Sequence, residues 1–157
     1  MLLNVVPFSK TNLNPFKEIK STYAEQLKKV DNHIKLKLSS HVDLVGEMAT
    51  HLMKTGDKRL RPLLTICSSE IFNYKGDRHI NLAACVELIH NATLLHDDVI
   101  DNSLSRRGFK TTNAIWGNKS SILAGDYLLS RCFEMMVDDG SDEILKILSS
   151  VSSEIAQ

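Results

Sequence analysis

The sequence lacks any excess of charge. Its 19 Lys and Arg residues balance 19 Asp and Glu residues, so the formal net charge is zero. Proteins that bind nucleic acid or an anionic membrane through their overall field carry a basic excess. The composition therefore gives no indication of a nucleic-acid partner, and any attraction for an anion must be local.

Cysteines and long apolar runs are also scarce. The cysteines Cys67, Cys85 and Cys132 are odd in number and stand in apolar surroundings, which is typical of free thiols in a reducing compartment. No run of eighteen apolar residues occurs, so we expect no transmembrane segment. The opening MLLNVVPFSK is interrupted by Asn4 and Pro7 too soon for a signal peptide. We therefore expect a cytoplasmic protein.

The sequence is rich in helical periodicity. Apolar residues three or four positions apart predict a helix from Phe16 to about Leu38, and alternating strand patterns are absent. We predict an all-α fold in one domain. Its parts are leading helices at 16–54, a set of helices at 56–139 and a final helix at 141–157 that opens at the N-cap residue Ser141.

Three aspartates gather in LLHDDVID, at the predicted end of a strongly apolar helix over 80–101. Asp97 and Asp101 are four residues apart and share a helical face with His90, while Asp98 borders that face. The negative end of a helix dipole makes such a cluster unfavourable unless a cation is present. Oxygen ligands of this kind suit Mg²⁺, which takes one or two carboxylates and completes its shell with water and phosphate.

Two basic segments accompany the aspartates. GDKRLRP supplies Lys58, Arg59 and Arg61 at a predicted helix start, and SLSRRGF supplies Arg106 and Arg107 just after the acidic cluster. The planar fork of arginine binds phosphate oxygens in pairs. Basic residues beside a carboxylate-bound Mg²⁺ therefore suggest a diphosphate ligand.

Together, GDKRLRP, ELIHNATLLHDDVIDNSLSRRG and GDYLLSRCFEMM resemble the N-terminal half of the trans-polyprenyl diphosphate synthases, over about Lys54 to Gln157. The resemblance implies the all-helical isoprenoid synthase fold, in which two aspartate-rich helix ends face each other across a deep cavity. It also implies a prenyltransferase that uses Mg²⁺ to condense isopentenyl diphosphate head-to-tail with an allylic diphosphate.

The resemblance assigns roles to individual residues. Asp97 and Asp101 are the expected Mg²⁺ ligands, and Asp98 contributes to the same catalytic motif. Arg106 is expected to contact the allylic diphosphate and to assist catalysis. The residues expected to hold isopentenyl diphosphate are Lys58, Arg61, His90 and Arg107.

The same helix bears on product length. Ala92 and Thr93 lie five and four residues before Asp97, and Ala92 is small where short-chain members of the family tend to carry an aromatic residue. A growing chain could pass it. We therefore expect a long product, such as a quinone side chain of octaprenyl type.

The sequence departs from the family pattern in two places. Asp57 replaces the second glycine of the family's GGKRxRP, and the chain ends at Gln157, before the second aspartate-rich motif. We therefore expect a truncated or split synthase with little activity alone, which forms a homo-oligomer or pairs with a complementing C-terminal fragment.

Two other functions are open at this point. His96 and Asp97, with His90 and Asp126, could form the metal site of an HD-type phosphohydrolase. That alternative leaves both basic segments unexplained. The other is a non-catalytic regulatory subunit that pairs with a complete synthase.

Overall fold

The computed structural model describes residues 14–39, 43–55 and 59–155, and these are mostly helical. The elements are helices α1 (Pro15–Thr22), α2 (Ala24–Lys37), α3 (Asp43–Thr55), α4 (Leu60–Ile71), α5 (Arg78–Ile100), α6 (Thr112–Trp116), α7 (Asn118–Asp139) and α8 (Asp142–Ile155), with strands β1 (Ser105–Arg106) and β2 (Phe109–Lys110) between α5 and α6. The predicted all-α fold is confirmed, although the segment between α5 and α7 contains a small hairpin and a short helix.

The single helix predicted from 16 to 38 is wrong, because the chain breaks it into α1 and α2 at Tyr23. The hydroxyls of Ser21 and Thr22 both donate to the carbonyl of Glu18, at 2.7 and 3.1 Å. Serine and threonine side chains that bond to nearby carbonyls compete with the helical ladder. The apolar spacing continues across the break, so periodicity alone does not reveal it.

Helix α5 is the centre of the fold and packs against α2, α4 and α7. Its buried positions include Ala83, Ala84 and Ala92, whose small side chains allow neighbouring helices to approach closely. Larger core side chains come both from α5, with Leu88 and Leu95, and from the surrounding helices, among them Val30, Ile34, Ile66, Leu128 and Met135. Each fully buried aliphatic side chain of this size contributes roughly 1.5–3 kcal/mol.

A tight turn at Arg107 and Gly108 closes the hairpin, in which Arg106 pairs with Phe109 and Ser105 with Lys110. Both turn residues have positive φ, 54° and 84°. A two-residue hairpin turn of this kind fits the right-handed twist of the strands, and glycine adopts it without cost. Arg107 adopts the left-handed conformation despite its side chain, so the turn fixes the direction in which this arginine leaves the backbone.

The predicted N-cap at Ser141 is confirmed, since its Oγ accepts a hydrogen bond from the N–H of Ile144 at 3.3 Å. The three cysteines are free thiols, as predicted, and Cys85 and Cys132 are buried. The neighbouring thiol of Cys132, whose Sγ donates to the backbone carbonyl of Cys85 at 3.6 Å, raises the pKa of Cys85 together with burial. Among the described residues no helix combines the length and apolar character needed to cross a membrane.

Candidate functional site

A cleft at the end of α5 brings together four of the predicted site residues, His90, Asp98, Arg106 and Arg107. Helix α5 supplies the first two and the hairpin supplies the arginines. His51 from α3 and Lys110 from β2 also line the cleft, and sequence reasoning missed both.

Asp98 and Arg106 form a half-buried ion pair in this cleft. Nε and Nη2 of Arg106 donate to Oδ1 of Asp98 at 3.1 and 2.8 Å, and the Asp98 side chain is only 7% exposed. The amide of Asn113 ties the region further by donating to the backbone carbonyls of Asp98 and Ser103, at 3.2 and 3.0 Å. Asp98 therefore holds the hairpin and orients Arg106, and its charge is already compensated.

Asp97 and Asp101 lie outside the cleft lining and are exposed at the C-terminal end of α5, Asp97 in its last turn and Asp101 at its C-cap. The helical wheel aligns them with His90, yet His90 lines the cleft together with Leu94 and Asp98. The backbone N–H of Asp101 donates to the carbonyl of Asp97 at 2.8 Å, so the two residues occupy successive turns of the same helix end.

The donor set of Asp97 and Asp101 fits a hard divalent cation. In the part of the chain that the structure describes, neither carboxylate forms an ion pair, and both stand at the negative end of the α5 dipole. No group of three or more His, Cys, Asp or Glu side chains able to hold a metal occurs within residues 14–39, 43–55 and 59–155. Two carboxylates suffice for Mg²⁺ when water and substrate phosphate supply its other ligands.

His96 makes contacts unrelated to the cleft. Its Nε2 lies 3.3 Å from the carbonyl oxygen of Ile122 and 3.4 Å from Oδ1 of Asp126, and its ring packs over Gly125. The residues of the phosphohydrolase alternative therefore separate, because His96 and Asp126 meet at the α5–α7 contact whereas His90 lines the cleft.

The remaining predicted residues occupy different surroundings. Arg61 is exposed in the first turn of α4, and Lys58 and Asp57 lie outside the described residues. Ala92 is fully buried in the core. Thr93 is half-buried, and its hydroxyl donates to the carbonyl of His90 at 2.8 Å.

Arg59 has a structural role that sequence reasoning missed. It is buried at the start of α4, with Nη1 2.7 Å from Oε1 of Glu87 and Nε 3.0 Å from Oδ1 of Asp31. These ion pairs join α4 to α5 and α2. The available signal was Glu87, a single acid within the apolar stretch AACVELI, since a buried carboxylate requires a cationic partner.

The chain is similar in sequence to known proteins over most of its length. The sequence model of the family described as Polyprenyl synthetase matches residues 42–157. An octaprenyl diphosphate synthase from Escherichia coli (strain K12) is 38% identical over 140 residues, which cover 89% of this chain and 43% of that protein. An all-trans-nonaprenyl-diphosphate synthase (geranyl-diphosphate specific) from Rhodobacter capsulatus is 37% identical, with 89% and 43% covered. Heptaprenyl diphosphate synthase component 2 from Geobacillus stearothermophilus is 33% identical, with 90% and 44% covered.

Solved structures agree with this similarity. A decaprenyl diphosphate synthase from Rhodobacter capsulatus superimposes with a TM-score of 0.88 at 45% identity, covering 90% of this chain and 44% of that one. A polyprenyl synthase from Caulobacter crescentus CB15, complexed with calcium and isoprenyl diphosphate, gives 0.86 at 40% identity, covering 90% and 43%. The chain thus spans less than half the length of these relatives. It has the helical fold of the isoprenoid synthases and belongs to the polyprenyl synthetase family.

Proposed function

We propose that this chain supplies one side of the active site of a polyprenyl diphosphate synthase, which condenses isopentenyl diphosphate with an allylic diphosphate and requires Mg²⁺. The observation that carries the proposal is the pairing of two exposed carboxylates, Asp97 and Asp101, with an adjacent cleft that contains His90, Arg106 and Arg107. Carboxylates beside cationic side chains suit a metal-bound diphosphate.

In this proposal different residues bind the metal and the two diphosphate substrates. Asp97 and Asp101 would hold Mg²⁺, which stabilises negative charge on the departing diphosphate when bound. Arg106, oriented by Asp98, would bind the allylic diphosphate as it leaves. His90 and Arg107, with Arg61 and Lys58, would hold isopentenyl diphosphate so that its double bond faces the allylic carbon.

The product is proposed to be a long all-trans chain. Relatives that carry octaprenyl and nonaprenyl names support this choice. Ala92 and Thr93 remain the proposed residues for chain length. Ala92 is packed in the core. Thr93 is half-buried, so of the two residues it is the one with solvent-accessible surface.

The chain covers 43% of the octaprenyl diphosphate synthase that it matches, so we propose that it needs a second aspartate-rich helix from a complementing chain or segment for turnover. A non-catalytic subunit is the second candidate. It is supported by the relatives named heptaprenyl diphosphate synthase component 2, a name that implies another component of that enzyme.

Calorimetric titration of an allylic diphosphate into the 157-residue chain, with Mg²⁺ and then with EDTA, tests the metal-dependent binding in the proposal. We expect binding that weakens at least tenfold in the double variant Asp97→Asn/Asp101→Asn, since a metal-bridged phosphate loses its carboxylate ligands. Asp142→Asn, at an exposed carboxylate in the first turn of α8, is the matched control and should bind as wild type does. Absence of binding to the wild-type chain would refute the proposal.

A radiolabel incorporation assay separates the two candidates. The chain is incubated with an allylic primer, Mg²⁺ and labelled isopentenyl diphosphate, alone and together with the C-terminal half of a polyprenyl synthase. Turnover only in the mixture supports a half-site, whereas no turnover in either case favours the non-catalytic subunit. Rapid turnover by the chain alone would show that no complement is needed.

A further inference from the structure

The hairpin that carries Arg106 and Arg107 has little packing of its own. Its strands are two residues long, and Ser105, Arg107, Phe109 and Lys110 are all exposed. A two-stranded hairpin without a buried face is only marginally stable in water. Its position must therefore come from contacts with the helices around it.

One such contact holds each strand. On β1, Arg106 is fixed by Asp98 of α5. On β2, Nε2 of His51 lies 2.9 Å from the backbone oxygen of Lys110. Since a carbonyl oxygen can only accept, His51 donates this hydrogen bond and carries a hydrogen on Nε2.

The ring of His51 is itself oriented by an aromatic neighbour. It meets the indole of Trp116 edge to face, with ring centroids 5.4 Å apart and an angle of 79° between the planes. Such edge-to-face contacts are favourable beyond the surface area that they bury. Trp116 closes α6, which follows the hairpin directly, so His51 contacts both β2 and the helix that follows it.

We propose that His51 is a positioning residue for the diphosphate site: it fastens β2 to α3 and so sets where Arg107 and Lys110 face the cleft. The inference rests on the proposed function. The turn residue Arg107 lies between the two anchored strands and has a left-handed backbone, with φ of 54°. The direction of its side chain therefore depends on both the Asp98 and the His51 contacts. His51 also ties the hairpin to the helix that immediately precedes the basic segment GDKRLRP.

Three variants separate the hydrogen bond from the ring. His51→Phe keeps a ring against Trp116 but cannot donate, His51→Gln restores an N–H donor without the ring, and His51→Ala removes both. The control is His33→Phe, which removes a comparable 2.9 Å contact with Asn81 in a separate groove. Asn81 precedes Asp98 by seventeen residues on α5, which places the control about 26 Å away along the helix.

The first readout is the affinity for inorganic diphosphate in the presence of Mg²⁺, measured by calorimetry. We expect His51→Phe to weaken it about tenfold, as loss of one ordering hydrogen bond would, and His51→Gln to recover most of that loss. His33→Phe should match the wild type. Equal affinities in wild type and His51→Phe, or equal losses in the Phe and Gln variants, would overturn the proposal.

The second readout needs no ligand. Amide hydrogen exchange over residues 105–110 should be faster in His51→Phe than in wild type or His51→Gln, with exchange in α8 unchanged. Unchanged exchange in the hairpin would overturn the anchoring role whatever the chain binds. A wild-type chain that binds no diphosphate, by contrast, refutes the proposed function and leaves the exchange result to decide the anchoring alone.

Discussion

Arg106 directs its Nε and Nη2 at Oδ1 of Asp98, at 3.1 and 2.8 Å, from a hairpin that begins only five residues after α5 ends. This pair divides the aspartates of DDVID into two kinds. Asp98 is buried and ion-paired, whereas Asp97 and Asp101 are exposed. One short motif therefore provides both an anchor for the arginines and the carboxylates proposed to bind metal.

Replacing Asp98 and Asp97 one at a time tests this division. Asp98→Asn leaves Arg106 without its buried counter-charge, so the free energy of unfolding should fall by about 1–3 kcal/mol. Asp97→Asn, at an exposed position, should change it by less than about 0.5 kcal/mol. Urea unfolding followed by circular dichroism measures both. Equal destabilisation by the two substitutions would contradict the division of roles.

Most of the helices were predictable because they pack an apolar stripe against the core, and this packing imposes the 3.6-residue period on the sequence. The break at Tyr23 was not predictable, since it depends on hydroxyls that compete for one carbonyl. The hairpin was missed for another reason. Strands of two residues are too short to produce an alternating pattern, and the turn at Arg107 and Gly108 was the only local signal.

The candidate site was predictable in its residue types but not in how they divide. Helical spacing gives the angle between Asp97 and Asp98. It does not indicate which of the two carboxylates will pair with Arg106 of the following hairpin. His51 was missed for the same reason. Its partner is the backbone carbonyl of Lys110, 59 residues away. Every residue type has such a carbonyl, so the sequence at Lys110 does not indicate the contact.

The buried cation Arg59 yields a second prediction. Arg59→Met keeps a long side chain at the same left-handed backbone position, where φ is 56°. It leaves Glu87, whose side chain is 4% exposed, without a cation. Loss of one partner from a buried pair typically costs about 3–5 kcal/mol. The midpoint of urea unfolding should fall accordingly, whereas Arg61→Met, at an exposed position in the same turn, should leave it nearly unchanged.

The double variant Arg59→Met/Glu87→Met provides the control for that loss. Removing both charges removes the uncompensated carboxylate, so most of the stability should return. A double variant as unstable as Arg59→Met would show that packing around Arg59, rather than its charge, stabilises this contact.

The contact between Gly125 and His96 gives a third prediction. A Cβ added at Gly125 would lie 2.3 Å from Nε2 and 2.7 Å from Cδ2 of His96, so the ring would have to move. Gly125→Ala should therefore destabilise the chain by about 1–2 kcal/mol, despite the better helix propensity of alanine. In a His96→Ala background the same change should stabilise by up to about 1 kcal/mol, because only the propensity remains.

Thermal or urea unfolding of the four proteins in this double-mutant cycle measures the coupling. The sign of the Gly125→Ala effect is the decisive result. An equal loss in both backgrounds would mean that the alanine methyl meets something other than the His96 ring.

The ion pair between Arg78 and Asp139 makes the stability of the fold depend on pH in the acidic range. Nε and Nη2 of Arg78 lie 3.0 and 2.5 Å from the two carboxylate oxygens, and the Asp139 side chain is 1% exposed. The hydrogen bonds from Arg78 lower the pKa of Asp139, against the opposing effect of burial. The folded protein thus binds this proton less readily than the unfolded chain does.

The sign of the pH dependence follows from that difference. The stabilisation is complete above the unfolded pKa of about 3.9 and is lost as the pH falls through the lower folded value. Asp139→Asn should therefore be less stable than wild type at neutral pH, and the gap should close below about pH 4. Urea midpoints of both proteins at several pH values across that range measure the gap. Asp142→Asn, at an exposed position, should differ less from wild type in stability at every pH. If the stability difference between Asp139→Asn and wild type persisted undiminished in strong acid, the ion pair with Arg78 would not be its source.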